Sequence, residues 1–242
     1  MTDSVVIRPP CNQWWDVWDQ FKTHRGALVG MIVFLLIVFF CFVGPYLWPY
    51  SATSIDIRSR NQGFTLAHPF GTDQLGRDIF ARMMKGGQVS LAVGIVAMIL
   101  SVFLGTLIGV LAGYFRRADG LLMRLTDLFL ALPLLPLLLV MSMLFRQPLS
   151  TIFGVETGIF LLIVTAIALT SWMRTARVVR GDVLALKERE YVLAARSIGT
   201  PPRRLIMRHI LPNVLSPVMV SATLMLANAI ITESALSFLG MG

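Results

Sequence analysis

The sequence predicts an all-α membrane protein, a polytopic bundle of about five transmembrane helices. Hydrophobic residues make up 56% of the 242 positions, only 14% are charged, and the mean hydropathy is +0.74. A soluble domain carries about 25% charged residues. Several apolar stretches reach the roughly 20 residues that a helix needs to cross a hydrocarbon core of about 30 Å. Composition therefore excludes a water-soluble globular domain.

Polar segments separate the apolar stretches and define the predicted domain organisation. An N-terminal segment covers 1–26, an extracytoplasmic loop covers 49–89, and a core domain covers 90–242 with a second, short loop at 146–157. The first apolar run starts late and no cleavage pattern follows it, so we expect a retained first span. The predicted spans are residues 27–48, 90–114, 121–145, 158–173 and 214–236.

The N-terminal segment 1–26 carries an aromatic cluster. Trp14, Trp15, Trp18 and Phe21 fall on roughly one face of a helix. Such a helix is typical of the membrane interface, in contact with lipid headgroups. A short surface helix that packs on the bundle is the alternative.

The charge pattern predicts the orientation. The net charge is +8, and with the N-terminus in the cytoplasm most Lys and Arg residues lie on the cytoplasmic side, many of them within 174–208. The positive-inside rule favours that arrangement. Because the basic residues flank apolar segments and form no soluble patch, nucleic acid is excluded as a partner.

The second span contains a glycine stripe. Gly105, Gly109 and Gly113 recur every four residues and make one smooth helix face. This is the small-xxx-small pattern of close helix packing in lipid. It predicts a tight helix interface and carries no information about cargo.

The third and fifth spans contain the candidate path-lining residues. Pro133 and Pro136 each remove a backbone donor, so the third span is expected to kink or unwind there, either as a path-lining break or as a static kink. Asp127 is costly in a membrane, and Arg124 is available as a helical partner, with direct contact to cargo as the alternative. Glu233 has no evident partner and is expected to face a pore or a further part of the bundle.

Residues 174–212 form a basic, amphipathic segment that predicts two cytoplasmic helices with a sharp break. Gly199 is expected to end the first helix in the left-handed conformation. Thr200 is a plausible N-cap for the second, with Pro201 in its first position and Pro212 opening the fifth span. Ala194 and its neighbour are small, so another surface can approach the backbone closely.

This segment resembles the EAA loop of ATP-binding-cassette importer permeases, which dock on ATP-hydrolysing subunits. Leu193 stands where the family has a glutamate, and His209 stands where an isoleucine is usual. The missing glutamate removes one expected polar contact to the ATPase but not the docking role. The resemblance implies an ATPase-coupling loop composed of Glu190, Tyr191, Ala194, Ala195, Gly199, Leu211 and Pro212.

Two further strings, 68–91 and 233–242, look like the peptide/nickel branch of these permeases and its C-type membrane subunit. That family continues through a sixth span, so the chain is expected to be a truncated product, a fragment or a short form. Its 71–78 string is read as a structural clasp at the outer gate, or as a contact for a binding protein. The motif residues are Gly71, Thr72, Asp73, Gly76, Arg77 and Asp78, of which Asp73, Arg77 and Asp78 are able to bond one another or the backbone.

The resemblance implies a location in the bacterial inner membrane and a set of partners. These are a second homologous permease subunit, two ATPase subunits that bind ATP and Mg²⁺, and an extracytoplasmic solute-binding protein. The sequence has no phosphate-binding loop of the GxxxxGK[ST] type, no Cys/His cluster for a metal and no clustered catalytic residues in the spans. A non-enzymatic permease for small peptides is therefore expected. Nickel or another small solute is the alternative cargo, and a channel or membrane scaffold the alternative class.

Overall fold

The computed structural model describes residues 21–240, and most residues in that range are helical, apart from a loop before Ile79. The one β-type pairing among these residues is an isolated bridge between Thr72 and Asp78. The expected N-terminal interfacial helix with its three tryptophans lies almost entirely outside the described residues. The helices are α1 Arg25–Phe42, α2 Gly44–Leu47, α3 Ile79–Tyr114, α4 Arg116–Ala131, α5 Leu134–Phe153, α6 Val155–Leu186, α7 Glu190–Ser197, α8 Pro202–Leu205 and α9 Leu211–Phe238, with a 3₁₀ turn at Ile57–Ser59 and a π turn at Ile206–Ile210.

Five helical stretches among the described residues are long and apolar enough to cross a membrane. They are α1, α3, α5, α6 and the run of α8, the π turn and α9 from Pro202 to Phe238. Their most apolar windows have mean hydropathies between 1.4 and 2.6. The predicted fold class, an all-α polytopic bundle of about five spans, is confirmed.

The chain divides into two compact units between Gln88 and Val89. In the first unit the end of α1 packs closely on the start of α3. Cys41 of α1 is buried, and its carbonyl accepts a 2.7 Å hydrogen bond from the Gln88 side chain. A Cβ at Gly44 would lie 2.6 Å from Met84 Sδ, so the chain after α1 approaches α3 closely.

The predicted loop at 49–89 is about ten residues too long, because α3 already begins at Ile79. The Asp78 carboxylate accepts a 2.9 Å hydrogen bond from the backbone N–H of Ala81. Asp78 therefore caps the first turn of the helix, a signal in the sequence that the apolar pattern concealed. Arg82 and Lys85, expected in the loop, lie on α3.

The second unit begins at Val89 and contains the predicted glycine contact. The glycine stripe of α3 lies against α6: a Cβ at Gly105 would stand 2.6 Å from the Trp172 carbonyl oxygen, and one at Gly109 2.6 Å from that of Ala176. A Cβ at Gly113 would stand 2.7 Å from Cβ of Val183. The small-residue interface is thus confirmed, with α6 as its other side.

The predicted third span, 121–145, is two helices. Leu132 and Pro133 have extended backbones between α4 and α5, so the chain breaks at Pro133 as expected, whereas Pro136 lies within α5. Because residues before a proline disfavour the helical region, α4 stops ahead of Pro133. The membrane-length helix is α5, shifted towards the C-terminus of the predicted span.

The predicted loop at 146–157 is wrong. The helix α5 continues to Phe153, and Gly154 alone, at φ +85°, separates it from α6. A Cβ at Gly158 would lie 2.7 Å from the Leu149 carbonyl group, so only glycine lets α6 start directly against α5. The fourth span likewise does not end at residue 173, since α6 continues to Leu186.

Candidate functional site

The candidate site is α7, the short helix between the last two spans. Gly199, at φ +79°, ends it in the left-handed conformation that the sequence predicted. Its N–H donates to the Arg196 carbonyl at 3.0 Å, and the N–H of Thr200 donates to that of Ala195 at 3.1 Å. This pair of bonds is the Schellman motif, which satisfies the last carbonyls of the helix.

The cap of the following helix differs from the prediction. Thr200 was expected as the N-cap and Pro201 as the first helical residue, but Pro201 is the cap residue and α8 begins at Pro202. Pro201 is extended, at ψ 147°, because the ring of the proline after it disfavours a helical backbone. Two consecutive prolines thus displace the helix start by one residue.

The helix α7 has one buried and one exposed face. Val192 and Ala195 are 2% and 8% exposed. They belong to a core cluster with residues of five other segments of the second unit, among them Val110 of α3, Val183 of α6 and Val214 of α9. The exposed face contains Glu190, Tyr191, Leu193, Ala194 and Ile198.

The two alanines of the expected docking surface therefore have different positions. Ala194 is exposed, as close approach by another chain requires. Ala195 instead packs into the protein's own core, so its small side chain fits α7 against the spans rather than a partner. Leu193, in place of the family glutamate, is 41% exposed and offers an apolar contact at that position.

A π turn joins α8 to α9 and was not foreseen from the sequence. Over Ile206–Ile210 the hydrogen bonding shifts by one residue, and the N–H of Leu211 donates to the Ile206 carbonyl. Pro212, in the first turn of α9, is exposed and has no N–H to donate. The amide of Asn213 donates to the His209 carbonyl at 2.6 Å, which satisfies one carbonyl in this turn. Such π turns are frequent at functional sites.

Two ion pairs connect α4 to α6. Arg177 Nη2 lies 2.5 Å from Asp127 Oδ1, and Arg180 binds Asp119 through two nitrogens. The predicted pair of Asp127 with Arg124 is wrong, because Asp127 faces α6 rather than the preceding turn of its own helix. The hydrogen bond from Arg180 lowers the pKa of Asp119, with partial desolvation opposing the shift.

The other expected path-lining residues are dispersed. Pro133 and Pro136 are exposed at the start of α5, and Asp127 is exposed on α4. Glu233 is 6% exposed on α9, and the hydroxyl of Ser90 donates to its carboxylate at 2.6 Å. The sequence showed no partner for Glu233, because its partner lies 143 residues away on α3.

The 71–78 motif folds into a clasp within the first unit. Asp73 accepts hydrogen bonds from the backbone N–H groups of Leu75 and Arg77, and its carboxylate also pairs with the side chains of Arg77 and Arg82. Partial desolvation acts against ionisation, but these hydrogen bonds and the Arg77 charge lower the pKa of Asp73 to about 2. The interaction of Asp73 with Arg77 is the one that the sequence suggested.

The remaining motif residues fasten the loop to neighbouring segments. Gly71 and Gly76 both have φ of +75°, and a Cβ on Gly76 would collide with the Asp56 carbonyl. The Thr72 hydroxyl donates to the Ser59 carbonyl. Asp78, 3% exposed, accepts from the indole N–H of Trp48 at 2.8 Å and lies 3.1 Å from His68 Nδ1, rather than binding the other motif charges.

Known proteins resemble the chain along nearly its whole length. Residues 105–242 match the family described as binding-protein-dependent transport system inner membrane component. Residues 12–67 match the N-terminal TM domain of oligopeptide transport permease C. The dipeptide transport system permease protein DppC of Bacillus subtilis is 35% identical over 99% of this chain and 72% of its own length. The oligopeptide transport system permease protein OppC of the same species is 34% identical over 98% of this chain and 74% of its own length.

Proposed function

Because the chain belongs to the binding-protein-dependent transport system inner membrane components, we propose that it is the permease subunit of an ATP-driven importer of small peptides. The cargo is inferred from relatives whose names specify dipeptide and oligopeptide transport. Nickel or another small solute remains the alternative cargo. Since the chain belongs to this family, no observation favours the alternative class, a channel or a membrane scaffold.

The observation that carries the proposal is the two-faced packing of α7. Its buried residues Val192 and Ala195 share one core cluster with α3, α6 and α9, while Tyr191 and Ala194 are exposed. A core of close-packed side chains transmits displacement, because it resists compression. A protein that binds the exposed face can therefore move three membrane helices through one short helix.

In the proposed mechanism, an ATPase subunit docks on the exposed face of α7 and binds ATP and Mg²⁺ itself. Closure of two such subunits moves α7, and the core cluster transfers the movement to the spans. A cavity between this chain and a second homologous permease subunit then changes the side on which it opens. This is a two-state switch whose equilibrium is biased by nucleotide on one side and by a solute-binding protein on the other.

The proposed orientation follows the basic residues. The basic segment that follows Arg174, up to Arg208, lies in the cytoplasm, as does the N-terminus, in the inner membrane of a bacterium. The 71–78 clasp then lies outside the cytoplasm. Its internal bonds support a structural role at the outer gate, which keeps the loop before α3 in one conformation.

The experiment is uptake of a labelled dipeptide by cells that lack this gene and redundant peptide importers, with and without the chain restored. We expect uptake to return with the wild-type chain. A matched strain receives a chain with Tyr191 and Ala194 both replaced by Asp, which places charge on the exposed face of α7. This variant should reach the membrane in normal amount and restore little uptake. Unchanged dipeptide uptake on deletion would overturn the peptide assignment, and nickel uptake is then the next measurement.

A further inference from the structure

A cleft with both polar and apolar lining residues lies between α6 and α9 in the second unit, and Leu134 of α5 also lines it. Its volume is about 310 Å³, which lies at the lower end of small-ligand sites. The lining residues lie on one face of each helix, at spacings of three and four residues. The polar ones are Thr170, Ser171, Arg174 and Thr175 from α6 and Ser221, Asn228 and Thr232 from α9.

Such a lining is unusual for helices that cross a membrane. Polar side chains in membrane spans face a bundle interior or a water-filled cavity. Asn228 donates one amide hydrogen to the Leu224 carbonyl at 2.8 Å, and the Thr232 hydroxyl donates to the Asn228 backbone carbonyl. The Asn228 side chain keeps its carbonyl oxygen and its second amide hydrogen, and the hydroxyls keep their lone pairs. The cleft thus offers both donors and acceptors to a bound molecule.

Arg174 is the exception in a regular series on α6. Arg177 and Arg180 follow it at intervals of three residues, and each of these two pairs with an aspartate of α4. For Arg174 the described residues 21–240 provide neither a hydrogen bond nor an ion pair. No acidic residue lines the cleft. Its guanidinium is therefore available for an anion that comes from outside this chain.

We propose that the cleft is a binding site on the peptide path and that Arg174 binds the C-terminal carboxylate of the peptide. This inference rests on the proposed function and specifies the chemistry of its cargo. Small peptides differ in their side chains, but each has a terminal carboxylate and backbone amides. An arginine binds a carboxylate through two parallel hydrogen bonds. The amide and hydroxyls of the lining match backbone N–H and C=O groups, so this cleft recognises peptides independently of their sequence.

The test uses the assembled importer with its solute-binding protein, reconstituted in vesicles of neutral phosphatidylcholine. Uptake is measured for one labelled dipeptide with a free C-terminus and for its C-terminal amide. The ratio of the two uptakes is compared between wild type and Arg174→Gln. Both proteins use the same binding protein, so its own preference cancels from the comparison. We expect the ratio to fall about tenfold or more in Arg174→Gln.

Two further variants separate the carboxylate role from other effects. Arg174→Lys keeps the charge but cannot form two parallel hydrogen bonds to one carboxylate, so its uptake ratio should lie between those of wild type and Arg174→Gln. Arg124→Gln removes an exposed arginine from α4, outside the cleft, and should leave the ratio unchanged. The amount of intact complex is determined for every variant by size-exclusion chromatography.

The other outcomes identify what fails. Equal loss of both peptide forms in Arg174→Gln overturns the inference and leaves the proposed function standing. If the complex is lost in Arg174→Gln but not in Arg174→Lys, Arg174 pairs with an acidic residue of the second permease subunit. This result also overturns the inference. If the wild-type preference for the free C-terminus is lost only in vesicles that contain anionic lipid, the ligand of Arg174 is a lipid phosphate. This result also overturns the inference. Wild-type importer that takes up neither peptide overturns the proposed function itself.

Discussion

Arg180 of α6 holds Asp119 of α4 through two hydrogen bonds, with Nε 2.5 Å from Oδ1 and Nη2 2.7 Å from Oδ2. The pair joins residues 61 positions apart. Arg180 lies between Val179 and Val183, which pack in the same core cluster as α7. The ion pair therefore fixes α4 to the part of α6 that packs against α7.

Replacement of Arg180 by Lys should loosen α4 from α6. A lysine keeps the charge but cannot donate two parallel bonds to one carboxylate. Since both side chains are partly exposed, the expected loss is only about 1 kcal/mol. Hydrogen–deuterium exchange of the assembled complex should show α4 amides exchanging several-fold faster, whereas Arg124→Lys leaves them unchanged. Equal exchange in Arg180→Lys and wild type would show that the pair does not hold α4.

The α3–α6 contact should not tolerate even one additional carbon atom at Gly109. The new Cβ would stand 2.6 Å from the Ala176 carbonyl oxygen, a backbone atom that cannot move alone. Gly109→Ala should therefore separate the two helices and lower the thermal stability of the purified complex. Gly86→Ala, on the same helix, meets nothing within 4 Å and should be neutral or slightly stabilising. A stable Gly109→Ala complex would contradict the close packing.

The clasp at 71–78 should open in strong acid. The pKa of Asp73 is lowered from its ordinary 3.8 to about 2, so its ionised form stabilises the folded loop. That contribution is complete above about pH 4 and is lost as the pH falls towards 2. Cleavage of the detergent-solubilised protein by pepsin within residues 56–78 should increase over this interval.

An Asp73→Asn variant provides the reference for that measurement. Its loop lacks the Asp73 carboxylate, so its cleavage reports the pH dependence of pepsin and of the other loop carboxylates, such as Asp56. The ratio of wild-type to variant cleavage should be low at pH 4 and approach one near pH 2. A ratio that stays constant over the interval would mean that Asp73 does not stabilise the loop.

The two alanines of α7 should respond differently to the same substitution. Ala195→Leu adds volume to a buried site and should destabilise the protein by about 1–3 kcal/mol. Ala194→Leu changes an exposed position, so stability should be preserved while peptide uptake falls relative to ATP hydrolysis. Thermal unfolding, ATPase activity and uptake of the assembled complex distinguish the two effects. Identical behaviour of the two variants would contradict the two-faced packing.

Local features of the sequence predicted much of the fold. Apolar runs identified the five spans, and the spacing of Gly105, Gly109 and Gly113 predicted a close helix contact. Gly199 and Pro133 correctly marked the ends of helices. Both signals are local, because the left-handed backbone of a glycine after a helix and the restricted backbone before a proline depend on only a few neighbouring residues. The length of α6 was underestimated, since an apolar pattern that becomes amphipathic does not indicate whether the helix ends.

Contacts between distant residues could not be predicted in the same way. Asp127 was assigned to Arg124 by helical spacing, whereas the fold brings Arg177 to it across 50 residues. Glu233 and Ser90 are 143 residues apart, and nothing in either segment specifies the other. The different positions of Ala194 and Ala195 also depend on the angle at which α7 packs on the spans.

Docking of an ATPase subunit on α7 is tested most directly by photo-crosslinking in the assembled complex. Tyr191, which is 45% exposed on α7, is replaced by p-benzoylphenylalanine, and Phe103, 64% exposed on the apolar span α3, is replaced in a matched variant. After irradiation, the Tyr191 variant should form a covalent adduct with the ATPase subunit, and the Phe103 variant should form none. A Tyr191 variant that hydrolyses ATP and imports peptide but yields no such adduct would contradict the assignment of α7 as the coupling helix.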